Sequence, residues 1–368
     1  MLFQIRVLLR AAAIAAVLSI DAILGGVILT AASAHAQTQT PQETFKNASE
    51  DGASVIMYHR FGESDYPATN TNLEQLDAHI AELKNGDYTV LALGEIVSRL
   101  KSGKAFPYKS VGVSIDDAYR SVYTEGWPRF KKAGIPFTLF VATDPVDRGL
   151  SRYMTWAQIR EMAADPLVTI GSQTATHLHM NDNSMERNAA DLEKSNARFE
   201  ENLGYVPELI AYPYGEFSNT TIDAVKQAGF VAGFGQHSGA FGSDDDLYRL
   251  PRFAMNENYG DLGRLRTAAS ALPIPVKDVI PQDTLVDPNG NPPYIGFTIP
   301  DGFPRTDQLA CFSNHEGKLK TERLGPRIEV RMTQKLPQGR TRLNCTLPVS
   351  GPGNQGRWRW FGLLLYVK

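Results

Sequence analysis

Between residues 53 and 271 short apolar runs alternate with stretches of helical periodicity. The runs cover 54–58, 88–91, 111–115, 137–141, 167–171, 209–212 and 230–234, and each reads as a buried strand. Amphipathic stretches at 73–83, 119–133, 156–162, 185–203 and 221–228 lie between them. In the first, Leu76, Ile80 and Leu83 share one helical face while Glu74, Asp77 and Glu82 take the other. Gly86, Gly134 and Gly229 fall just past three of these helices, where a left-handed cap is expected. Seven strands alternating with helices predict parallel pairing through right-handed crossovers, in an open doubly wound sheet or a closed β/α barrel. Either way, functional loops gather at the carboxyl ends of the strands. No glycine-rich phosphate loop follows the first strand, so a dinucleotide fold lacks its main signature.

The pattern changes after Ala271. Pro273, Pro275, Pro281, Pro288, Pro292 and Pro293 punctuate 272–293, which reads as a linker. Over 294–368 the period becomes two. Ile328, Val330 and Met332 alternate with Glu329 and Arg331, and Trp358 and Trp360 with Arg357 and Arg359. This predicts a small antiparallel β-sandwich. The two tryptophans share a strand face, read as core packing, with a sugar-stacking platform as the alternative.

Residues 1–36 carry Arg6 and Arg10, a long Ala/Val/Leu/Ile run, and Ala34-His35-Ala36 before Gln37. That is the layout of a signal peptide, followed by a polar lead-in over 37–52. An uncleaved anchor is the alternative, opposed by Asp21, since a mid-bilayer carboxylate costs ~3 kcal/mol. No other stretch is long and apolar enough to span a membrane. Export to a periplasmic or extracellular space would let Cys311 and Cys345 pair; two separate buried thiols are the alternative.

At 368 residues, ~150 per domain gives two domains, or one with an appendage. With 37 basic against 40 acidic side chains and no basic block, the chain is not built to bind nucleic acid. Two cysteines exclude a disulfide scaffold or a four-thiolate zinc site.

Chemistry concentrates where three predicted strands end: Asp116-Asp117 after 111–115, Gln173 to His177 after 167–171, and Pro213-Tyr214-Gly215 after 209–212. Carboxyl ends of parallel strands converge, so these groups are expected around one site. Neighbouring carboxylates on an extended chain face different sides. One can hold a cation while the other acts as a base on the water it activates. Asp with imidazole suits Zn²⁺. Taken alone, Asp116-Asp117 would equally serve as a helix cap, and His177 as a structural histidine.

Together these stretches resemble the polysaccharide deacetylase family of carbohydrate esterases. Ser114-Ile115-Asp116-Asp117 is similar to its T/S-F-D-D motif, the segment from Gly171 to His177 to its G-S-H-T-x-x-H motif, and Ala211 to Gly215 to its third motif. Val55 to His59 resembles the opening of the branch that holds the poly-N-acetylglucosamine deacetylases, and Met154-Thr155-Trp156 and Leu250-Pro251-Arg252 match that branch too. The resemblance covers roughly 200 residues in order. It implies a distorted seven-stranded (β/α) barrel over 53–271 and hydrolysis of N-acetyl groups on an amino-sugar glycan. Asp116 would be the general base, His59 the general acid, and Tyr214 a backbone donor to the oxyanion. Arg252 would position Asp116, and Asp117, Gln173 and His177 would hold a divalent metal, with zinc the first expectation.

Gln173 departs from the pattern, because it stands where the family has a metal histidine. A neutral amide oxygen is a poorer partner for Zn²⁺ than imidazole. Gln173 could bind a metal weakly, His179 could substitute, or the chain could be a glycan-binding scaffold without activity. His179 and His237 are both read as surface-loop residues, and Asp244 to Asp246 as a solvated turn.

Overall fold

The computed structural model describes residues 52–349, 351, 354 and 356–368; the signal peptide expected over 1–36 and the lead-in up to Asp51 lie outside them. No helix among the described residues is long and apolar enough to cross a membrane.

Strand β1 (Ala53–Tyr58) is buried at every position, as its unbroken apolar run requires when both faces are covered. Helix α1 (Leu73–Asn85) follows, started by a capping box of Asn72 and Gln75. Helix α2 (Leu93–Ser102) leads to β2 (Ser110–Asp116), also wholly buried. Helix α3 (Trp127–Ala133) is shorter than the amphipathic stretch predicts. Pro128 has no N–H to give the preceding turn, so the chain passes through a wider turn at Val122–Gly126 and starts the helix afresh. Then come β3 (Phe137–Val141), α4 (Trp156–Ala163), β4 (Val168–Ser172), α5 (Met185–Leu203), β5 (Leu209–Ala211), α6 (Asn219–Gln227), β6 (Ala232–Phe234) and α7 (Leu262–Ala269).

β1 to β6 lie side by side in chain order, all parallel. The sheet holds nine strands where seven were expected. Ala240–Phe241 runs antiparallel on the outer side of β1 and Phe253–Ala254 parallel to it, while Thr89–Val90 touches only the start of β2. The two edges of the sheet are hydrogen-bonded to one segment. Leu250 exchanges bonds with Gly233 and Gly235 beside β6, and Met255 N–H donates to Met57 O in β1 at 2.9 Å.

Gly134 takes the expected left-handed cap at φ 72°. Gly86 does not: it is extended at φ −76°, and is needed there for its size, because a Cβ would come within 2.5 Å of the Tyr88 ring.

The C-terminal region is an eight-stranded sheet, antiparallel except for one parallel edge pair, whose neighbours are not all consecutive along the chain. Its main strands are β7 (Ile295–Thr298), β8 (Ala310–Ser313), β9 (Gly317–Leu324), β10 (Arg327–Arg331), β11 (Gly339–Pro348) and β12 (Trp358–Val367). Residues 272–293, read as a linker, supply both outer strands, Leu272–Pro273 on β12 and Lys277–Ile280 on β7. Proline is tolerated there because an edge strand leaves one side of its backbone unpaired. β9 pairs with β8 through residues 317–319 and with β10 through 320–324, so one strand serves both halves. Phe297, Ile328 and Val330 from one half and Leu343, Cys345 and Leu365 from the other share a single core. Cys311 and Cys345 are directly opposite and joined by a disulfide.

This region docks closely on the first. Trp360 meets Phe253 edge-to-face at 5.2 Å, and Tyr366 OH donates to Asp182 at 2.8 Å. Gly362 lies so near Ser238 O that a Cβ would fall 2.1 Å from it, a position only glycine can fill. The tryptophan face is therefore not the core of this sheet: Trp360 is half-buried against the first region, Trp358 is 38% exposed, and the alternating Arg357 and Arg359 are the buried side chains.

Candidate active site

All the singled-out side chains except Arg252, which precedes the short strand Phe253–Ala254, stand at the carboxyl ends of parallel strands. His59 follows β1, Asp116 closes β2 and Asp117 follows it, Gln173 and His177 follow β4, and Tyr214 follows β5. The register pairs Tyr58 with Ile115, Asp116 with Phe140 and Val141 with Ser172, which brings these ends level. The loops turn sharply: Asp117, Ala118, Thr174, His177 and Tyr214 all have positive φ. Such backbone in non-glycine residues costs about 1 kcal/mol or more each and persists only when surroundings enforce it.

The two aspartates face different partners. Asp116 is fully buried, and Arg252 grips it with Nη1 on Oδ1 and Nη2 on Oδ2. Arg252 is buried too, and its Nε donates to Gly235 O at 2.9 Å. His59 Nε2 lies 4.0 Å from Asp116 Oδ2, close but not hydrogen-bonded.

Asp117 turns the other way, toward His177, whose Nε2 is 3.4 Å from Oδ1. Burial pushes the Asp117 pKa up, but the bond and charge of His177, with His59 and Tyr119, outweigh it and hold the carboxyl well below the usual range. Burial works against a proton on His177, and Asp117 together with Asp116 overcomes it and raises the imidazole. A group of three or more His, Cys, Asp or Glu able to surround an ion is absent among the described residues. The donor set is one carboxylate, one imidazole and the amide of Gln173. Asp117 Oδ1 is buried without a well-aligned hydrogen bond. Its 3.4 Å distance from Nε2 is close to the ~3.3 Å between two ligand atoms on one tetrahedral ion at ~2.05 Å. Gln173, fully buried, accepts the Asp117 N–H at Oε1 (3.0 Å), leaving that oxygen a second lone pair, while its Nε2 has no partner. These residues fit a loosely held divalent cation.

His179 is not placed as a substitute ligand. Its Nδ1 is 2.8 Å from Glu216, and its ring stacks on Tyr214 at 3.9 Å. His237, read as a surface residue, is buried, because its carbonyl accepts the Arg252 N–H and draws the loop inward.

One supporting residue escaped the sequence reading. Asp191, buried on α5, accepts the N–H groups of Ala175 (2.9 Å) and Thr176 (3.1 Å) and the Thr176 hydroxyl (2.8 Å). It fixes the loop that carries His177. The available signal was a run of polar residues, Asn188, Asp191 and Ser195, on the face of α5 that is buried.

Residues 103–233 match the family model described as polysaccharide deacetylase. The chain is 25% identical over 236 residues to the poly-beta-1,6-N-acetyl-D-glucosamine N-deacetylase of Staphylococcus aureus (strain MRSA252), covering 57% of this chain and 80% of that protein. Among solved structures it is similar to IcaB from Ammonifex degensii, with a TM-score of 0.53 and 26% identity over 60% of this chain and 98% of that one. It shares its fold with the Streptococcus pyogenes deacetylase PplD, solved in complex with acetate, with a TM-score of 0.54 and 21% identity over 59% and 98% of the two chains.

Proposed function

Through residues 103–233 the chain belongs to the polysaccharide deacetylase family, and from that footing we propose that it is an exported, metal-dependent enzyme removing N-acetyl groups from an amino-sugar glycan. The observation that carries this reading is the convergence of two pairs: His59 4.0 Å from Asp116, and His177 3.4 Å from Asp117. Asp117 and His177, with Gln173 as a third and weaker donor, would hold a divalent cation, zinc first, which supplies Lewis-acid polarisation of a carbonyl and of water. Asp116, kept in place by Arg252, takes the proton of the attacking water. The Tyr214 N–H donates to the developing oxyanion, an interaction of a type worth ~3 kcal/mol. His59 gives a proton to the departing sugar nitrogen, so that acetate and a free amine leave. A distorted barrel is the architecture that the shared segment 250–255 favours, with a sandwich-like appendage. The leader pattern over 1–36 and the disulfide both suit an oxidising compartment outside the cytoplasm.

The test is acetate release from N-acetylglucosamine oligomers, with and without added divalent metals. Wild-type protein should turn over, and Asp116→Asn should lose roughly 100-fold or more. Folded protein that is silent with every metal tried would overturn the proposal. A second reading, a glycan-binding protein without catalysis, draws on the engaged oxygen and orphaned nitrogen of Gln173. It gains if Gln173→His creates turnover where the wild type has none.

A further inference from the structure

The appended sheet reaches into the candidate active site. Along β11, Thr341, Leu343, Cys345 and Leu347 are buried, so Arg340 and Arg342 project from the opposite face. Arg340 crosses to the first domain, where its Nη1 donates to the carbonyl of Tyr214 at 2.9 Å and its Nε stands 3.5 Å from Glu216 Oε1. Glu216 is 1% exposed and its other oxygen meets His179 Nδ1 at 2.8 Å. The His179 ring lies flat on Tyr214, 4° from parallel. Arg340, Glu216, His179 and Tyr214 thus form a closed circuit of contacts.

What they enclose is the strained turn after β5. Tyr214 sits at φ 58° and Gly215 at φ 75°, and a Cβ on Gly215 would fall 2.3 Å from Gln236 N. A turn in this region holds its shape only if neighbours fix it. Within the turn, Gly215 and Glu216 donate back to Tyr212 and Pro213. From outside it, the carbonyl of Tyr214 is held by Arg340.

We infer that Arg340 is a positioning residue for the deacetylation reaction: by holding the Tyr214 carbonyl it fixes the Tyr214–Gly215 peptide and with it the strained turn, so that the N–H of the preceding Pro213–Tyr214 peptide points at the reacting carbonyl. The C-terminal sheet is then part of the active site. The inference rests on the deacetylase reading for its kinetic consequence, but the clamp itself can be tested without turnover.

The experiment compares full-length wild type, Arg340→Ala and Arg340→Lys. Two substrates are used: an N-acetylglucosamine oligomer, and a small activated acetate ester that occupies only the acyl position. Arg340→Ala should lower kcat roughly 10- to 100-fold on both, with KM little changed, and Arg340→Lys should recover part of the loss through a single donor. Amide hydrogen exchange at Tyr214, Gly215 and Glu216 should quicken about tenfold or more in Arg340→Ala, with exchange in β1 to β4 unaltered. Unchanged exchange in the turn would overturn the inference. A loss confined to KM on the oligomer would also overturn it, since Arg340 would then be a sugar contact. Should the wild type release no acetate, the function proposed above fails, and the exchange comparison alone decides the clamp.

Discussion

Arg252 and Asp116 meet as a planar fork on a carboxylate, Nη1 to Oδ1 at 2.6 Å and Nη2 to Oδ2 at 2.9 Å, in a place shut off from solvent. Nη1 also reaches the Ser114 hydroxyl at 3.2 Å. A buried charge is tolerable only with its partner present. Arg252→Met should therefore destabilise the fold by about 3–5 kcal/mol, seen as a fall in the urea midpoint. Arg252→Lys keeps the charge but not the fork. It should fold, yet release acetate about 100-fold more slowly. Equal activity in the lysine variant would show that the orientation of Asp116 is set elsewhere.

Asp191 separates support of the loop from the site itself. Asp191→Leu keeps the side-chain size but leaves the N–H groups of Ala175 and Thr176 and the Thr176 hydroxyl without their acceptor. A stability loss of about 2–3 kcal/mol is expected, together with weaker metal uptake as the His177 loop loosens. Denaturation and metal titration on the same preparation check both; stability lost with metal binding intact would refute the link to His177.

His237 predicts an acid sensitivity. Burial, then the Arg249, Arg252 and Arg342 charges around it, push its pKa down to about 3, against a hydrogen bond to the Arg249 carbonyl that favours protonation. The folded protein keeps this ring neutral below pH 6.5 while the unfolded chain takes up a proton. Stability attributable to His237 is therefore intact above pH 6.5 and drains away as pH falls toward 3, at ~1.4 kcal/mol per pH unit. Urea melts from pH 7 to 4 should show a shallower loss for His237→Gln than for the wild type. Parallel curves would contradict the assignment.

Gln173 is where the proposed metal binding can be tested. Gln173→His exchanges a neutral oxygen for imidazole beside Asp117 and His177, so zinc should bind about tenfold or more tightly. Calorimetric titration at constant pH reads this directly. Affinity unchanged or reduced would place residue 173 outside the ligand set, with its acceptor role toward the Asp117 N–H as the function it serves.

Much of this site was legible from strand periodicity. The apolar runs at 111–115, 167–171 and 209–212 end next to Asp116, Gln173 and Tyr214, and β2, β4 and β5 end there to within a residue. Helix α5 matches the amphipathic stretch over 185–203 at both ends. Helix α2 was missed: Ala92 gives it no side-chain cap, so no start signal marks it. The linker reading of 272–293 gave each proline the weight of a breaker, though at a sheet's edge it need not be one. Arg340 could not be found from sequence at all. It lies 126 residues from Tyr214 along the chain, and nothing in an alternating strand announces which outward side chain will land on another domain. His237 was misplaced for a like reason, since loop composition says nothing of what the loop folds beneath.

The segment 250–255 fastens both margins of the parallel sheet and carries Arg252 between its two seams. The tie between the two margins and the seating of Asp116 are consequently one mechanical element. Heating that opens the seam would release Asp116 in the same event.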